Sequence, residues 1–396
     1  MKNHTGKIKL LELTFSELVS ELKKRYGKGA HHAAILFREI YSNGNIDLGK
    51  SPEIVRWKKL YVQLCHDLKV NLNPVVDTIK ENGLTKFVTR LKDSLEIESV
   101  IVPMATHNTL CVSSQVGCKM GCKFCETARL GFFRNLSVEE IIGQVFTAKF
   151  IFDVDIRNVV FMGMGEPLDN FDNVMQAILV MEDQRGFDIS KRYISVSTAG
   201  LLDGIKKLAA LNWPQINLAL SLNAPNDQVR SQIMPINKVY SMDRLREVLM
   251  DFPLKKNGAV YIEYVLIKHV NDRQEHAYQL ADYLKPLRAK LNLIPYNRRT
   301  DSLFEAPSEQ DVSRFLSWLV EKKVFVRKRS TKGLGIRAGC GQLGNYALLN
   351  SSACPKTPLP PGGVGGGKGN LLISFTPTPT LPQREREKQS FRTGTK

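Results

Sequence analysis

The residues best suited to chemistry are three cysteines packed into eight positions, Cys118, Cys122 and Cys125, in the stretch CKMGCKFC. Thiolates at a C-x3-C-x2-C spacing can hold three irons of a cubane iron–sulfur cluster and leave the fourth iron without a protein ligand. Such an open iron is a place where a substrate can bind. On the spacing alone, two alternatives stay open: a zinc site, which normally wants four ligands, and three unrelated core cysteines.

The other four cysteines, Cys65, Cys111, Cys340 and Cys354, are scattered along the chain. An odd total of seven, with three in one cluster, is a poor disulfide framework and is more typical of metal binding in a reducing compartment. Cys340 lies between two glycines in AGCGQL, which favours an accessible loop with a reactive thiol over an inert core residue. Cys65 and Cys354 match no motif, and we interpret them as structural or incidental.

From about residue 86, short β-rich runs alternate with amphipathic helical stretches around these cysteines. The predicted strands are 98–102, 110–116, 158–162, 193–197, 216–222, 260–267, 290–294 and 324–327. The predicted helices among them are 138–150, 174–181, 242–250, 276–284 and 310–320. Alternation with short connections predicts parallel βα units. About six such units favour an α/β fold, a partial (β/α)6 barrel with functional residues at the carboxyl ends of its strands.

Composition divides the chain into three regions. Residues 1–85 carry helical-period stretches at 10–26 and 33–41 with many basic groups, and they predict a small basic helical domain. Residues 86–350 are the predicted catalytic domain. Residues 351–396 predict a disordered tail, because the chain from Pro355 holds seven prolines, seven glycines and few aromatics. Its GGVGGGKG segment lacks the serine or threonine that a phosphate-binding loop needs after the lysine.

The charge of the chain indicates a polyanionic partner. The formal net charge is +17, of which the tail supplies only +5. Nucleic acid is the first partner to consider and an anionic membrane the second. A membrane partner is disfavoured because no apolar run approaches the roughly 20 residues that span a bilayer, and the N-terminus has no apolar signal segment. We therefore expect a cytoplasmic, RNA-binding monomer.

Further motifs follow one another in a recognisable order: VSSQVGCKMGCKFCETARLGFFRNL, NVVFMGMGEPLDN, SVSTAG, SLNAPND, MPINK, IEYVLI, HVND, LNLIPYN and AGCGQL. Over about residues 95–344 the chain resembles the RlmN and Cfr group of radical S-adenosylmethionine (SAM) RNA methyltransferases, and residues 1–94 are compatible with the helical N-terminal domain of that family. The resemblance implies that Cys118, Cys122 and Cys125 bind a [4Fe-4S] cluster and that SAM chelates its open iron.

The resemblance also implies a set of SAM-contacting positions, which follow successive predicted strands. They are Gly165, Glu166, Ser197, Ser221, Leu222, Asn223 and Asn297. A carboxylate such as Glu166 can accept a hydrogen bond from the amino group of SAM. One position departs from the family, which usually has histidine where Asn223 stands. An amide keeps a donor and an acceptor but carries no charge for proton handling.

Two thiols and one carboxylate receive catalytic roles from the same resemblance. It implies that Cys340 is methylated by one SAM and that a radical from a second SAM takes hydrogen from that methyl group. The methylene then joins Cys340 to the base, and Cys111 releases the product through a transient disulfide. Glu98 is implied as the proton acceptor. An electron donor such as a flavodoxin or ferredoxin is implied as a partner.

The leading interpretation is methylation at C2 of an adenosine in ribosomal RNA, with transfer RNA as a further substrate. A Cfr-like reaction at C8 of adenine is the close alternative. From another class, the chain could be a non-catalytic RNA-binding iron–sulfur protein or a zinc-binding structural protein. Basic residues near the predicted strand ends are expected to contact RNA phosphates. These residues are Arg298, Arg299, Arg327, Lys328, Arg329, Lys332 and Arg337.

Overall fold

The computed structural model describes residues 6–298, 302–329, 333 and 335–344. The strands are β1 (Ile8–Lys9), β2 (Leu68–Lys69), β3 (Val75–Glu81), β4 (Leu84–Arg90), β5 (Glu96–Pro103), β6 (Asn108–Cys111), β7 (Gln115–Gly117), β8 (Phe132–Asn135), β9 (Ile156–Phe161), β10 (Ile194–Thr198), β11 (Asn217–Ser221), β12 (Val260–Leu266), β13 (Ala289–Pro295) and β14 (Val326–Lys328). The predicted tail at 351–396, with Cys354, lies outside the described residues, as do Arg299 and Lys332.

The helices complete the alternation. They are α1 (Phe15–Tyr26), α2 (Ala30–Phe37), α3 (Pro52–Val55), α4 (Lys59–Asp67), α5 (Glu126–Arg129), α6 (Val138–Phe146), α7 (Phe171–Glu182), α8 (Leu202–Ala210), α9 (Asp227–Ile233), α10 (Met242–Met250), α11 (Gln274–Leu284) and α12 (Glu309–Glu321). The five helices predicted in the catalytic region are therefore all present, with ends shifted by a few residues.

Ten strands form one sheet in the order β14-β13-β12-β11-β10-β9-β6-β5-β4-β3. The strands from β6 to β14 pair in parallel, whereas β3, β4, β5 and β6 pair in antiparallel fashion. Six helical connections join the successive parallel strands, through α6, α7, α8, α9 with α10, α11 and α12. The predicted α/β fold with six βα units is confirmed.

The parallel strands form where the sequence offers continuous apolar runs, since both faces of such a sheet are covered. Leu218, Ala219 and Leu220 of β11 are all fully buried. Three of the helices that cover the sheet, α6, α9 and α12, start at side-chain caps. At α6 the Ser137 hydroxyl accepts from the Glu140 N–H, and the Glu140 carboxylate accepts from the Ser137 N–H. This arrangement leaves the carboxyl ends of the parallel strands to carry the site.

The N-terminal residues form the two predicted helices with different bounds. The predicted helix 10–26 begins only at Phe15, because Thr14 caps α1 in a capping box with Glu17. It ends at Gly27, whose φ of +65° is the left-handed C-cap that glycine favours. The predicted helix 33–41 corresponds to α2 followed by one π-helical turn at Arg38–Ser42. The boundaries of the three regions stay a prediction.

The hairpin of β3 and β4 was not among the predicted elements, although it extends the sheet at its edge. Strand β3 is largely exposed, so it has no apolar alternation to detect. The local signal lies in its turn, where Asn82 and Gly83 both have positive φ, at 49° and 79°. Asn-Gly is the pair that favours a tight hairpin turn, and this dipeptide could have identified the element.

The predicted strand 110–116 is two strands, β6 and β7, and the prediction of one continuous strand is wrong. The chain leaves the sheet between them, at Ser113. The hydroxyl of Ser113 donates to the Glu98 carbonyl at 2.7 Å and accepts from the Met164 backbone N–H at 2.9 Å. These side-chain bonds compete with sheet pairing, so the backbone turns toward the cysteine loop.

Candidate active site

The carboxyl ends of β9, β10, β11 and β12 open into one cleft, with about 930 Å³ of empty space. Nine of the predicted site residues line it together: Cys118, Cys122, Cys125, Gly165, Glu166, Ser197, Ser221, Asn223 and Cys340. They come from positions as far apart as the cysteine loop and the last described segment of the chain. Convergence at the strand ends is what the βα alternation predicts.

The cysteine loop follows β7 directly, as predicted, and backbone hydrogen bonds fix it. The Cys118 N–H donates to the Gly131 carbonyl at 2.7 Å, and the Lys123 N–H donates to the Ile233 carbonyl at 2.9 Å. Burial raises the pKa of the Cys118 thiol well above its ordinary value and that of Cys122 to about 12. The free thiols are therefore protonated at neutral pH, and metal binding must release their protons.

The donor set of this loop fits a cluster better than a single ion. Among the residues that the structure describes, no three Cys, His, Asp or Glu side chains are grouped closely enough to hold one metal ion. A cubane cluster does not need such convergence, because each thiolate binds a different iron. Tetrahedral zinc does need it, together with a fourth ligand. Three cysteines around one cleft therefore fit an iron–sulfur cluster with one open iron.

Glu166 is a buried carboxylate at the end of β9 whose oxygens face the next strand. Its Oε2 accepts from the Ala199 N–H at 2.7 Å and its Oε1 from the Leu168 N–H at 3.1 Å. Burial raises its pKa to about 7, against the lowering effect of these bonds. The preceding Gly165 has a φ of +100°, and a Cβ there would lie 2.5 Å from the side chain of Gln115. Only glycine fits this turn.

Loss of the Glu166 charge should weaken SAM binding. We expect Glu166→Gln to raise the Kd for SAM by about tenfold to a hundredfold, because a charge-assisted hydrogen bond to the SAM ammonium is lost. Equilibrium dialysis under anaerobic conditions measures this. Glu139→Gln is the matched control, since Glu139 is equally buried but bonds Asn71 away from the cleft. An unchanged Kd in Glu166→Gln, or an equal loss in the control, would contradict the assignment.

The other predicted SAM positions differ in what they can offer. Ser197 of β10 and Ser221 of β11 line the cleft at successive strand ends. The side chain of Leu222 is fully buried in the main core, so only its backbone could face a ligand. Asn297 does not line the cleft. Its Nδ2 donates to the Cys340 carbonyl at 3.4 Å, which places it against the loop of that cysteine.

Asn223 is held by protein contacts on both ends of its amide. Its Oδ1 accepts from the Val265 N–H at 2.9 Å, and its Nδ2 donates to the Met234 sulfur at 3.3 Å. Its φ of 59° lies in the left-handed region, where asparagine is favoured among residues with a side chain. Both ends of the amide therefore bond to the protein and fix the end of β11. Because an amide carries no charge, we expect no proton transfer at this position.

Cys340 is exposed and lines the cleft, on a loop that is bonded to α5. The Gly341 carbonyl accepts from the Glu126 N–H at 2.7 Å, next to Cys125. The Thr127 hydroxyl donates to the Leu343 carbonyl at 2.5 Å. The surrounding protein raises the pKa of the Cys340 thiol, and the Arg329 guanidinium opposes this. These bonds place an accessible thiol beside the cysteine loop.

Cys111 lies at the end of β6, opposite Val160 in the sheet register. It is partly buried and is not among the residues that line the cleft. Burial raises its pKa to about 12, and the Cys340 thiol adds to the rise. The two thiols are therefore near enough to interact electrostatically, although about 230 residues separate them in sequence.

Glu98 is buried on β5, on the far side of the Cys340 loop from the cleft. It lines a second cavity, and its Oε2 accepts from the Gly344 N–H at 2.9 Å. Lys86 of β4 lies 3.5 Å from its Oε1. Burial raises the pKa of Glu98, whereas the ammonium of Lys86 lowers it. A raised pKa makes this carboxylate a better proton acceptor than an ordinary glutamate.

Sequence reasoning missed a polar group inside the barrel, formed by Glu263, Asn292 and Arg329. Asn292 donates to Glu263 at 2.8 Å, and Arg329 lies 3.4 Å from the other carboxylate oxygen. The signal was available, since Glu263 interrupts the apolar run of β12. A buried charge in such a strand indicates a site. The structure thus directs Arg329, predicted to contact RNA, toward the cleft.

The remaining predicted RNA-contacting residues occupy different places. Arg298 and Arg327 are exposed, and Lys328 pairs with Glu309. Arg337 lines the second cavity with Glu98. Within the described residues, no helix has the length and apolar character needed to cross a bilayer.

Comparison with known proteins places these features in one family. Residues 112–281 match the radical SAM superfamily. The chain is 42% identical over 341 residues to a probable dual-specificity RNA methyltransferase RlmN 1 of Protochlamydia amoebophila, covering 86% of this chain and 95% of the relative. It is 40% identical over 332 residues to the dual-specificity RNA methyltransferase RlmN of Geobacter sulfurreducens, covering 83% and 91%.

A solved structure is similar over the same extent. The crystal structure of a radical SAM methyltransferase from Sphaerobacter thermophilus superposes with a TM-score of 0.76 at 33% sequence identity. The match covers 85% of this chain and 99% of that one. The likeness therefore extends well beyond the cysteine loop and the superfamily segment.

Proposed function

Because the chain belongs to the RlmN family of dual-specificity RNA methyltransferases, we propose that it adds a methyl group to C2 of an adenosine in RNA. We propose ribosomal RNA as the substrate and transfer RNA as a second one. The observation that carries the proposal is the cleft, where three cluster-type cysteines, the SAM-type strand ends and Cys340 meet. A non-catalytic iron–sulfur protein would need neither the strand ends nor Cys340.

Cofactor binding falls to the cleft residues. Cys118, Cys122 and Cys125 would hold a [4Fe-4S] cluster, and Gly165 and Glu166 would receive the amino end of SAM. When bound, the cluster and SAM together supply a carbon radical that can abstract hydrogen from a methyl group.

Cys340 would carry the methyl group to the base. Carbon 2 of adenine is electron-poor and does not attack a sulfonium as an ordinary nucleophile does. A thiol bound to the protein avoids this difficulty, since it accepts a methyl group first and delivers it as a carbon radical. The exposed sulfur and its flanking glycines leave room for a base that has been extruded from its stack.

Cys111 and Glu98 would complete the reaction on the protein side. Attack of the deprotonated Cys111 sulfur on the Cys340 sulfur would form a disulfide and break the S–C bond to the methylene, whose carbon would leave with the bonding electron pair delocalised into the adenine ring. Protonation of that carbon would then give the methyl group. Glu98 would accept the proton lost from C2. Its hydrogen bond to Gly344 connects it directly to the loop that carries Cys340. The base would have to reach both sides of this loop.

The charge of the chain supports an RNA partner in a cytoplasmic setting. A net charge of +17 attracts the phosphate backbone of RNA. Two exposed arginines lie near the strand ends: Arg298 follows β13, and Arg327 lies in β14. We propose a flavodoxin or ferredoxin as the electron donor and a monomer as the working form.

Nucleoside mass spectrometry tests the proposed function. Ribosomal and transfer RNA are isolated from cells with and without this protein and digested. We expect 2-methyladenosine to be present in both RNA classes only when the protein is present. A gain of 8-methyladenosine would refute C2 in favour of C8, and identical nucleoside profiles would refute the methyltransferase itself.

A further inference from the structure

Arg230 of α9 is a fully buried arginine that no predicted site includes. Its Nη2 donates to the Ala199 carbonyl at 2.6 Å and its Nε to the Leu222 carbonyl at 3.1 Å. Its Nη1 donates to the Asn237 side chain at 3.0 Å. The guanidinium thus joins the carboxyl ends of β10 and β11, the two strands that end at Ser197–Thr198 and Ser221.

The charge of Arg230 has no carboxylate partner. Its hydrogen-bond acceptors are three backbone carbonyls and the Asn237 amide, all of them neutral, and within the described part of the chain it forms no ion pair. Burial lowers its pKa to about 10, so it is still charged at neutral pH. A buried cation that lacks an opposite charge is costly, because carbonyl dipoles replace only part of its hydration.

The negative charge that Arg230 lacks is available on the cysteine loop. That loop packs against the helix of Arg230, since the Lys123 N–H donates to the Ile233 carbonyl of α9 at 2.9 Å and Cys122 packs on the apolar cluster that includes Ile233. One carbonyl acceptor of the guanidinium, on Ala199, belongs to a residue that lines the cleft together with Cys122. A cysteine that ligates iron does so as a thiolate. The protein therefore holds a fixed cation near a sulfur that carries negative charge when it ligates metal.

We propose that Arg230 is a positioning residue that compensates the negative charge of the iron–sulfur cluster and makes its reduction easier. This rests on the proposed function, which places a cluster on Cys118, Cys122 and Cys125. Three thiolates give the cluster a net negative charge, and the incoming electron increases it. A nearby cation stabilises the reduced form more than the oxidised one, and net charge is among the factors that set cluster potentials.

The test compares Arg230→Gln with Arg230→Lys. Both variants lose the bonds to the strand ends, but only lysine keeps the charge, so their difference isolates the charge from the structural role. Each protein is loaded with cluster under anaerobic conditions, and the reduced fraction is read by electron paramagnetic resonance during a redox titration. Iron content and circular dichroism check cluster loading and folding.

We expect the ratio of reduced to oxidised cluster at a fixed potential to fall about tenfold in Arg230→Gln, about 59 mV for a one-electron couple. In Arg230→Lys it should stay within about twofold of the wild type. Equal ratios in the wild type and Arg230→Gln, or equal losses in both variants, would overturn the proposal.

A third variant covers the case in which neither Arg230 variant folds. Asn237→Asp, combined with Asp227→Asn so that two carboxylates do not meet at the 2.8 Å contact between these side chains, leaves Arg230 in place and puts a carboxylate against its Nη1, which compensates the cation within the protein. The reduced fraction should again fall, and an unchanged fraction would overturn the proposal. If the wild-type protein itself binds no cluster, the proposed function fails, whereas a loaded wild type with insensitive variants refutes only the role of Arg230.

Discussion

Cys340→Ala should leave the protein with its full iron and sulfide content but without methylated RNA. The thiol lies outside the C-x3-C-x2-C loop, and the bonds that hold its loop come from backbone groups and Thr127, which the substitution leaves in place. No other exposed thiol lines the cleft in the described residues. We expect product formation to fall by at least about a thousandfold.

The measurement for Cys340→Ala is transfer of a labelled methyl group from SAM to RNA, alongside iron and sulfide analysis of the same preparation. Cys65→Ala is the matched control, since Cys65 is also an exposed cysteine but lies on α4, away from the cleft. The control should keep normal activity. Normal turnover in Cys340→Ala would remove the methyl-carrying role, and loss of iron would assign Cys340 to the metal site instead.

Cys111→Ala should trap the protein on its RNA substrate. The other cysteines that line the cleft with Cys340 in the described residues are Cys118, Cys122 and Cys125, which would be occupied as cluster ligands. Without Cys111, the methylene bridge to the base should therefore persist. Denaturing gel electrophoresis with labelled RNA should then display a shifted protein–RNA band in most of the active molecules. The wild type should display little, because the disulfide step releases the product.

The double variant Cys111→Ala/Cys340→Ala is the control for this trap. It should form no crosslink, since the bridging sulfur is absent. Release of normal product by Cys111→Ala would contradict the two-thiol route. A crosslink that persists in the double variant would show that another residue bonds the RNA.

Local patterns made much of the site predictable. The cysteine loop is contiguous, so its spacing alone restricts the chemistry of Cys118, Cys122 and Cys125. The parallel strands could be predicted because burial on both faces demands continuous apolar runs, as in β11. Carboxyl ends of parallel strands converge, so Glu166, Ser197 and Ser221, which the family resemblance implies as SAM contacts and which follow successive strands, were expected to lie together.

Contacts between distant segments could not be predicted in the same way. Glu98 of β5 meets the Cys340 loop through the N–H of Gly344, a contact between segments 246 residues apart that no local spacing encodes. In the sequence, Arg230 has the pattern of an ordinary polar residue in a short helix. Its burial becomes visible only when α9 packs against the ends of β10 and β11. Charges of this kind are recognised by what surrounds them.

Asn223 illustrates both what the sequence predicts and what it cannot predict. The sequence identified the departure from histidine, and the chemistry of an amide excluded a charge. Two further properties of this residue depend on three-dimensional packing: its left-handed φ of 59° and the bonds of its amide to Val265 and Met234. Asparagine and histidine both tolerate that backbone conformation, so nothing in the structure explains the departure.

The most direct test of the account is the cleavage of SAM by anaerobically prepared, iron-loaded protein in the presence of a strong reductant. The account predicts about four irons per chain and formation of 5′-deoxyadenosine, which is detected by liquid chromatography with mass spectrometry. A preparation that binds no iron, or one that holds its cluster but forms no 5′-deoxyadenosine, would contradict the central claim that this cleft generates a radical from SAM.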